Sequence, residues 1–194
     1  MSLWKKLISY SSDKLQVPCV NHQQQYSGSG LLLFDKSTNC ILLIHDYTGD
    51  YNCFGGRIKL EYNNDDFGVE KTACDELYEE SRTLLSFDYK KLSTVHYVDI
   101  KNNYHNELFR CYIVKLELPL DIREQFHNID LNKLPYNDDY FETNEIHLFP
   151  IEQFHSSTIF QSGSTKATNN LGENLALNER AIEVILAAKT KNIL

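Results

Sequence analysis

The chain has 194 residues, 42% of them hydrophobic and 12% aromatic, and carries a formal charge of −8. That length and composition predict one domain with material for a sizeable core. No stretch approaches the roughly 18 uninterrupted apolar residues of a membrane span, and an acidic chain without a basic stripe argues against non-specific binding to extended nucleic acid.

Residues 1–27 form a polar lead-in and residues 28–190 the expected domain. Near the N-terminus, Lys5 and Lys6 precede neither a continuous apolar run nor a small-residue cleavage site, which predicts no signal peptide and a cytoplasmic protein. Cys19, Cys40, Cys53, Cys74 and Cys111 are odd in number and contain no C-x-x-C pair. They predict neither a disulfide framework nor a zinc site, and Cys40, Cys53 and Cys111 sit in apolar runs as small buried hydrophobes.

In chain order, a strand is expected at 31–34, a turn at 36–39 and an antiparallel partner at 41–45. Turn formers fill 46–52. A third strand at 53–60 then delivers Gly55 and Gly56. A helix over 67–84 follows, with Val69, Ala73, Leu77 and Leu84 on its apolar side, so Leu77 is a core residue. Two more strands are expected at 93–100 and 108–118, joined by the polar turn 101–106, and Pro119 closes the second. Residues 120–143 read as irregular. A last strand at 145–154 runs into a short turn, a polar loop covers 156–170, and an amphipathic helix over 174–189 is buried through Leu177, Ala181, Val184, Ile185 and Ala188. There is no internal repeat, and the alternation points to a mixed α/β domain.

The most informative segment is the helix expected after Gly56. Glu76, Glu79 and Glu80 stand at i, i+3 and i+4 and share one face. Like charges at that spacing repel by a few tenths of a kcal/mol even in water. From Glu61 to Glu80 there are eight acids (Glu61, Asp65, Asp66, Glu70, Asp75, Glu76, Glu79, Glu80) against Lys71 alone. A solvated helix face is the ordinary account of such a run; a hard divalent cation held by carboxylate oxygens is the functional one.

The segment Gly55-Gly56 through Glu76-Leu77-Tyr78-Glu79-Glu80 resembles the signature of the Nudix hydrolases, in which a loop, a helix and a loop hold magnesium or manganese beside a diphosphate. The Gly pair and the Glu-apolar-x-Glu-Glu core match. Between Gly56 and the helix core lie five residues more than the family spacing, so the family's first Glu has no assigned counterpart. Asp75 stands where the family has an Arg that holds a signature carboxylate. Arg82 stands where a Gly ends the helix, and it is expected to let the helix run on through Leu84.

The resemblance, spanning about residues 28–188, implies a mixed β-sheet between helices. It also implies a Mg²⁺ or Mn²⁺ ion held by Glu76, Glu79, Glu80 and the backbone carbonyl of Gly55, with the three carboxylates as catalytic residues. The implied activity is hydrolysis of a diphosphate that links a nucleoside to another group, from a small nucleotide to an mRNA cap. Arg57 is a candidate for a substrate phosphate, or else a salt-bridged surface residue. Tyr140, with Tyr136 and Phe141, is a candidate for stacking on a base, or else packs its loop onto the domain. The general base is expected to be one of the three carboxylates or a loop acid such as Glu142 or Glu145. Capped RNA and a homodimer are left open as partners. The competing reading is a Nudix-like domain of impaired catalysis that binds a nucleotide, RNA or protein.

Overall fold

The computed structural model describes residues 26–47, 49–62, 65–101, 107–135, 138–155 and 166–194. The expected lead-in up to residue 25 with Cys19, most of the turn 101–106, Tyr136 and most of the loop 156–170 lie outside them.

Strand β1 (Tyr26–Asp35) is the spine of the molecule. Its apolar run is buried on both faces, with Leu31 and Leu33 entering one core and Leu32 and Phe34 the other, the pattern of a strand covered on each side. It pairs in parallel with β6 (Leu108–Leu116) along almost its whole length. Its other edge is shared between β2 (Cys40–His45), across the tight turn, and β4 (Phe54–Arg57). Strand β2 also pairs with the short β3 (Tyr51–Asn52) and with β7 (Glu145–Pro150), and β5 (Tyr97–Lys101) lines the far side of β6. All of these pairs except β1 with β6 are antiparallel, so the sheet is mixed, as expected.

Helix α1 (Gly68–Glu80) covers one face of the sheet, where Ala73 and Leu77 pack with Leu31, Leu33 and Tyr112. A final helix, Glu179–Thr190, covers the other through Val184, Ile185 and Ala188. Burying a side chain such as Leu77, 2% exposed, stabilises by roughly 1.5–3 kcal/mol. Cys40, Cys53, Cys74 and Cys111 are buried and unbridged. Among the described residues no helix is long and apolar enough to cross a membrane.

Segment β3–β4 changes partner at Cys53, leaving β2 for β1. The exchange depends on close approach of two backbones at the Gly30–Gly55 register pair. A Cβ on Gly30 would sit 2.0 Å from the Phe54 carbonyl oxygen, and one on Gly55 2.7 Å from that of Ser29. Only glycine fits there.

Several boundaries differ from those read in the sequence. Strand β4 ends at Arg57 rather than residue 60, and a 3₁₀ turn at Leu60–Tyr62 follows. Strand β5 begins at Tyr97 because the preceding segment is spent on a one-turn helix α2 (Tyr89–Leu92), capped by the Asp88 carboxylate on the Lys90 amide. The stretch read as irregular holds helix α3 (Ile122–His127) and 3₁₀ turns at Leu131–Lys133 and Asp138–Phe141. Residues 174–176, expected to open the last helix, instead form β9 (Asn174–Ala176) of a hairpin with β8 (Lys166–Thr168). The helix, here α4, starts at Glu179 because Asn178 supplies the cap, its side chain accepting from the Arg180 amide at 3.0 Å.

Behind this hairpin, β7 buries His147, 2% exposed. Its Nδ1 lies 2.6 Å from the Asn169 amide nitrogen, so Nδ1 accepts, and Nε2 donates to Glu145 at 3.0 Å. Tyr51 also donates to Glu145, at 3.1 Å. Burial holds the His147 pKa below its usual 6.5, outweighing the Glu145 carboxylate that pulls it up, with Arg123 also lowering it. The unfolded chain therefore binds the proton first. Stability is expected to be intact above about pH 6.5 and to fall as the solution is acidified below it. Glu145, whose pKa the His147 bond holds down, adds its own loss only below its usual 4.5. Urea unfolding from pH 7.5 downward should show the upper part of this acid limb flattened in His147→Gln.

Candidate active site

The site is assembled where β4, the loop after it and helix α1 meet. Ser29, fully buried on β1, donates its hydroxyl to the Val69 carbonyl at 2.5 Å and pins the first turn of α1 to the sheet. Tyr112 on β6 donates to Glu70, the next residue of the same turn, at 2.9 Å. The helix is thereby held with its last turn against the glycines of β4, Gly55 and Gly56.

Each expected carboxylate has a definite place. Glu80, 8% exposed, accepts a hydrogen bond from the Gly55 amide at 2.7 Å. Burial, followed by the charges of Glu76 and Glu142, pushes its pKa well above the ordinary carboxylate range, and the Gly55 bond only partly opposes this. Glu76 lies on Gly56: a Cβ there would come within 2.5 Å of the carboxylate. Glu79 turns to Lys59, whose Nζ is 2.6 and 2.7 Å from its two oxygens. Asp75 accepts from the Tyr62 hydroxyl at 2.8 Å. Lys59 is partly buried, which would lower its pKa, but the bond to Glu79 and the charges of Glu79, Glu76 and Asp75 together raise it.

The helix does not run on through Leu84. It ends at Glu80 in a Schellman motif in which the Arg82 amide donates to the Glu79 carbonyl at 2.8 Å and the Thr83 amide to that of Tyr78 at 2.7 Å. Arg82 (φ 54°) and Thr83 (φ 67°) take up the left-handed backbone that a glycine adopts without penalty. Each costs about 1 kcal/mol or more. The side chain of Arg82 offsets this by donating to the Thr143 carbonyl at 2.6 Å and lying 4.3 Å over the Phe126 ring. A cation in place of glycine thus keeps the same cap and ties it to the segment before β7.

The other expected residues divide. Arg57 is exposed at the end of β4, two residues from Lys59. Tyr140 is 8% exposed and packs edge-on against Tyr78, with ring centroids 6.3 Å apart, so its ring fills the wall beside Glu79. Its pKa is raised by burial and then by the Glu79 charge. Phe141 is 43% exposed. Glu142 is close enough to act on Glu80, whereas Glu145 is engaged by Tyr51 and His147. Lys59 and Tyr62 were not foreseen. The signal was present: Lys59 stands two residues before the acidic window, and Tyr62 lies in the lengthened loop. A cavity of about 310 Å³ on the neighbouring side of the helix is lined by Tyr62, Asp75, Tyr78 and Tyr89 among others.

The resemblance implies a divalent ion at these residues. The donors are all hard oxygens, and a buried Glu80 beside two further carboxylates is unfavourable until a cation joins it. As they stand, among the described residues, no three His, Cys, Asp or Glu side chains are gathered closely enough to hold one. Glu79 is directed to Lys59 and Glu80 to an amide. The donor chemistry fits a cation, and its binding requires these side chains to turn.

No protein-family model and no curated protein sequence matches the chain. Among solved structures it is similar to the NUDIX domain of Shewanella oneidensis NrtR complexed with ADP ribose, with 12% identity, 88% of this chain and 90% of that one covered, and a TM-score of 0.47. It is also similar to a C. elegans Ap4A hydrolase, with 12% identity, coverage of 86% and 96%, and a TM-score of 0.45. A third is a bifunctional NMN adenylyltransferase/ADP ribose pyrophosphatase from Francisella tularensis complexed with AMP and a Mn ion. There identity is 10%, coverage is 86% of this chain and 42% of that one, and the TM-score is 0.45. At such identities and scores the likeness carries no weight for the chemistry.

Proposed function

We propose that this protein is a divalent-metal-dependent hydrolase that cleaves a diphosphate linking a nucleoside to another group, in a small nucleotide or an mRNA cap. The observation that carries the reading is Glu80, buried with a raised pKa among the charges of Glu76 and Glu142 and bonded to the Gly55 amide. Such an arrangement is costly in an apo protein and is relieved by a bound cation. Glu76, Glu79, Glu80 and the Gly55 carbonyl would hold Mg²⁺ or Mn²⁺. When bound, the ion neutralises the diphosphate and lowers the pKa of a water.

The chain's own groups complete the chemistry. Arg57, exposed at the mouth of the site, binds a substrate phosphate. Glu142, whose charge already acts on Glu80, accepts the proton of the attacking water. Tyr140 with Tyr78 forms the apolar wall that shields the carboxylates from bulk water. The second reading, a binding domain of impaired catalysis, is favoured by the ammonium of Lys59 on Glu79 and by Asp75.

A phosphate-release screen with Mg²⁺ or Mn²⁺ over capped RNA, ADP-ribose, dinucleoside polyphosphates and deoxynucleotides separates the two. Strict metal dependence is expected, with Glu79→Gln and Glu80→Gln each losing about tenfold or more. No turnover at any metal concentration would transfer the assignment to the binding domain.

A further inference from the structure

We infer that the cavity beside α1 is a nucleobase pocket selective for guanine, which names the nucleoside half of the substrate. The assignment of that base to a substrate rests on the hydrolase reading above, whereas the pocket itself is open to test without metal or turnover.

Lys71, Cys74, Asp75 and Tyr78 stand at i, i+3, i+4 and i+7 of α1 and form one stripe. All four line the cavity of about 310 Å³. The facing walls come from two segments in which this chain departs from the family pattern. The lengthened loop brings Tyr62, and the chain leaving the left-handed cap at Arg82 and Thr83 comes back past the helix with Phe87 and Tyr89. The rings are held in place by the protein itself. Tyr62 donates to Asp75 at 2.8 Å, Tyr89 lies 5.8 Å from the Phe67 ring, and Lys71 Nζ, bonded to Asp65, stands 5.5 and 5.3 Å from the Tyr62 and Tyr89 centroids.

Aromatic walls suit a flat ligand, and the volume is at the lower end of the range for small-molecule pockets, with room for a base and its sugar. An organic cation is the other ligand that rings beside a carboxylate attract, but the Lys71 ammonium already occupies that place. Selection falls to Lys71 and Asp75, one turn apart. An ammonium bonded to one carboxylate keeps donors to spare, and a carboxylate bonded to one phenol keeps acceptor positions on both oxygens. The Watson–Crick edge of guanine presents the acceptor O6 and then two neighbouring donors, N1–H and the N2 amino group. Lys71 meets the first and Asp75 the other two, in charge-assisted bonds. Adenine and cytosine offer the carboxylate one donor group only, and uracil flanks its N–H with two carbonyls that a carboxylate repels. Asp75 also stands one turn before Glu79 on the helix, so a base held there leaves its diphosphate beside the carboxylates.

The test is calorimetric titration of the full chain, in the presence of a chelator, with GMP, AMP, CMP and UMP, which differ in the base alone. GMP is expected to bind about tenfold or more tightly than the other three, the discrimination of a good bidentate contact. Asp75→Asn, which keeps an acceptor for Tyr62, should bring GMP down to the level of AMP. Tyr89→Leu should weaken all four nucleotides together, with circular dichroism confirming that each variant is folded. Equal binding of the four by wild type, no binding of GMP at millimolar concentration, or a GMP preference that survives Asp75→Asn overturns the inference. So does tetramethylammonium binding in place of GMP, which would make the cavity a cation cage. Each of these results leaves the hydrolase reading standing, since neither a metal ion nor turnover enters the titration. A GMP preference in a chain that releases no phosphate with any metal would support the pocket and remove the hydrolase reading alone.

Discussion

Glu80→Gln is expected to raise the stability of the metal-free protein, by on the order of 1 kcal/mol, while abolishing most of its affinity for Mn²⁺. The two effects have opposite signs for one physical reason. Glu80 is 8% exposed, bonded to the Gly55 amide at 2.7 Å, and surrounded by the charges of Glu76 and Glu142. Glutamine keeps an oxygen for that amide and has nearly the same shape, so the packing survives. What disappears is a carboxylate that the fold must either protonate or hold ionised against its neighbours. Urea unfolding in the presence of a chelator measures the first effect and Mn²⁺ titration the second. A Gln variant that is less stable without metal would show that Glu80 serves the architecture and not an ion.

The second large effect lies away from the carboxylates. Gly30→Ala is expected to cost about 3 kcal/mol or more, at the upper end of single substitutions. The new Cβ would stand 2.0 Å from the Phe54 carbonyl oxygen and 2.9 Å from the Gly55 Cα. Both are backbone atoms of the partner strand, with no flexible end to yield. Either β1 and β4 separate, breaking their ladder, or β4 shifts and carries Gly55 away from Glu80. Chemical denaturation should therefore show a large loss of stability, and any folded fraction should bind Mn²⁺ weakly.

What could be read from the residues depended on whether local pattern or distant contact decided the outcome. The strand around 31–34, its partner at 41–45 and the apolar side of α1 follow from side-chain periodicity, and the structure places them there with Leu77 in the core. The short helix at Ile122–His127 was not legible. It has two buried side chains, Ile122 and Phe126, too few to set a period. The hairpin at 166–176 was hidden for a similar reason, its strands being three residues each. The end of α1 could not be read from the backbone preference of one residue, because the side chain of Arg82 decides it. Arg82 tolerates the left-handed conformation by what it reaches, Thr143 and Phe126, far along the chain. Lys59 was missed likewise, since its significance comes from a partner twenty positions later.

The parallel pairing of β1 with β6 has a consequence for how the protein is made. Strands β1 and β2 can pair with each other as soon as both are made, but Tyr26 meets Leu108 and Cys40 meets Pro150, so the other edge of each waits for a strand synthesised much later. Until then a strongly apolar segment, LLLF from Leu31 to Phe34, waits with an unpaired edge. Long-range pairings of this kind form slowly, and the nascent chain is a natural client for a chaperone that shelters exposed strands during translation.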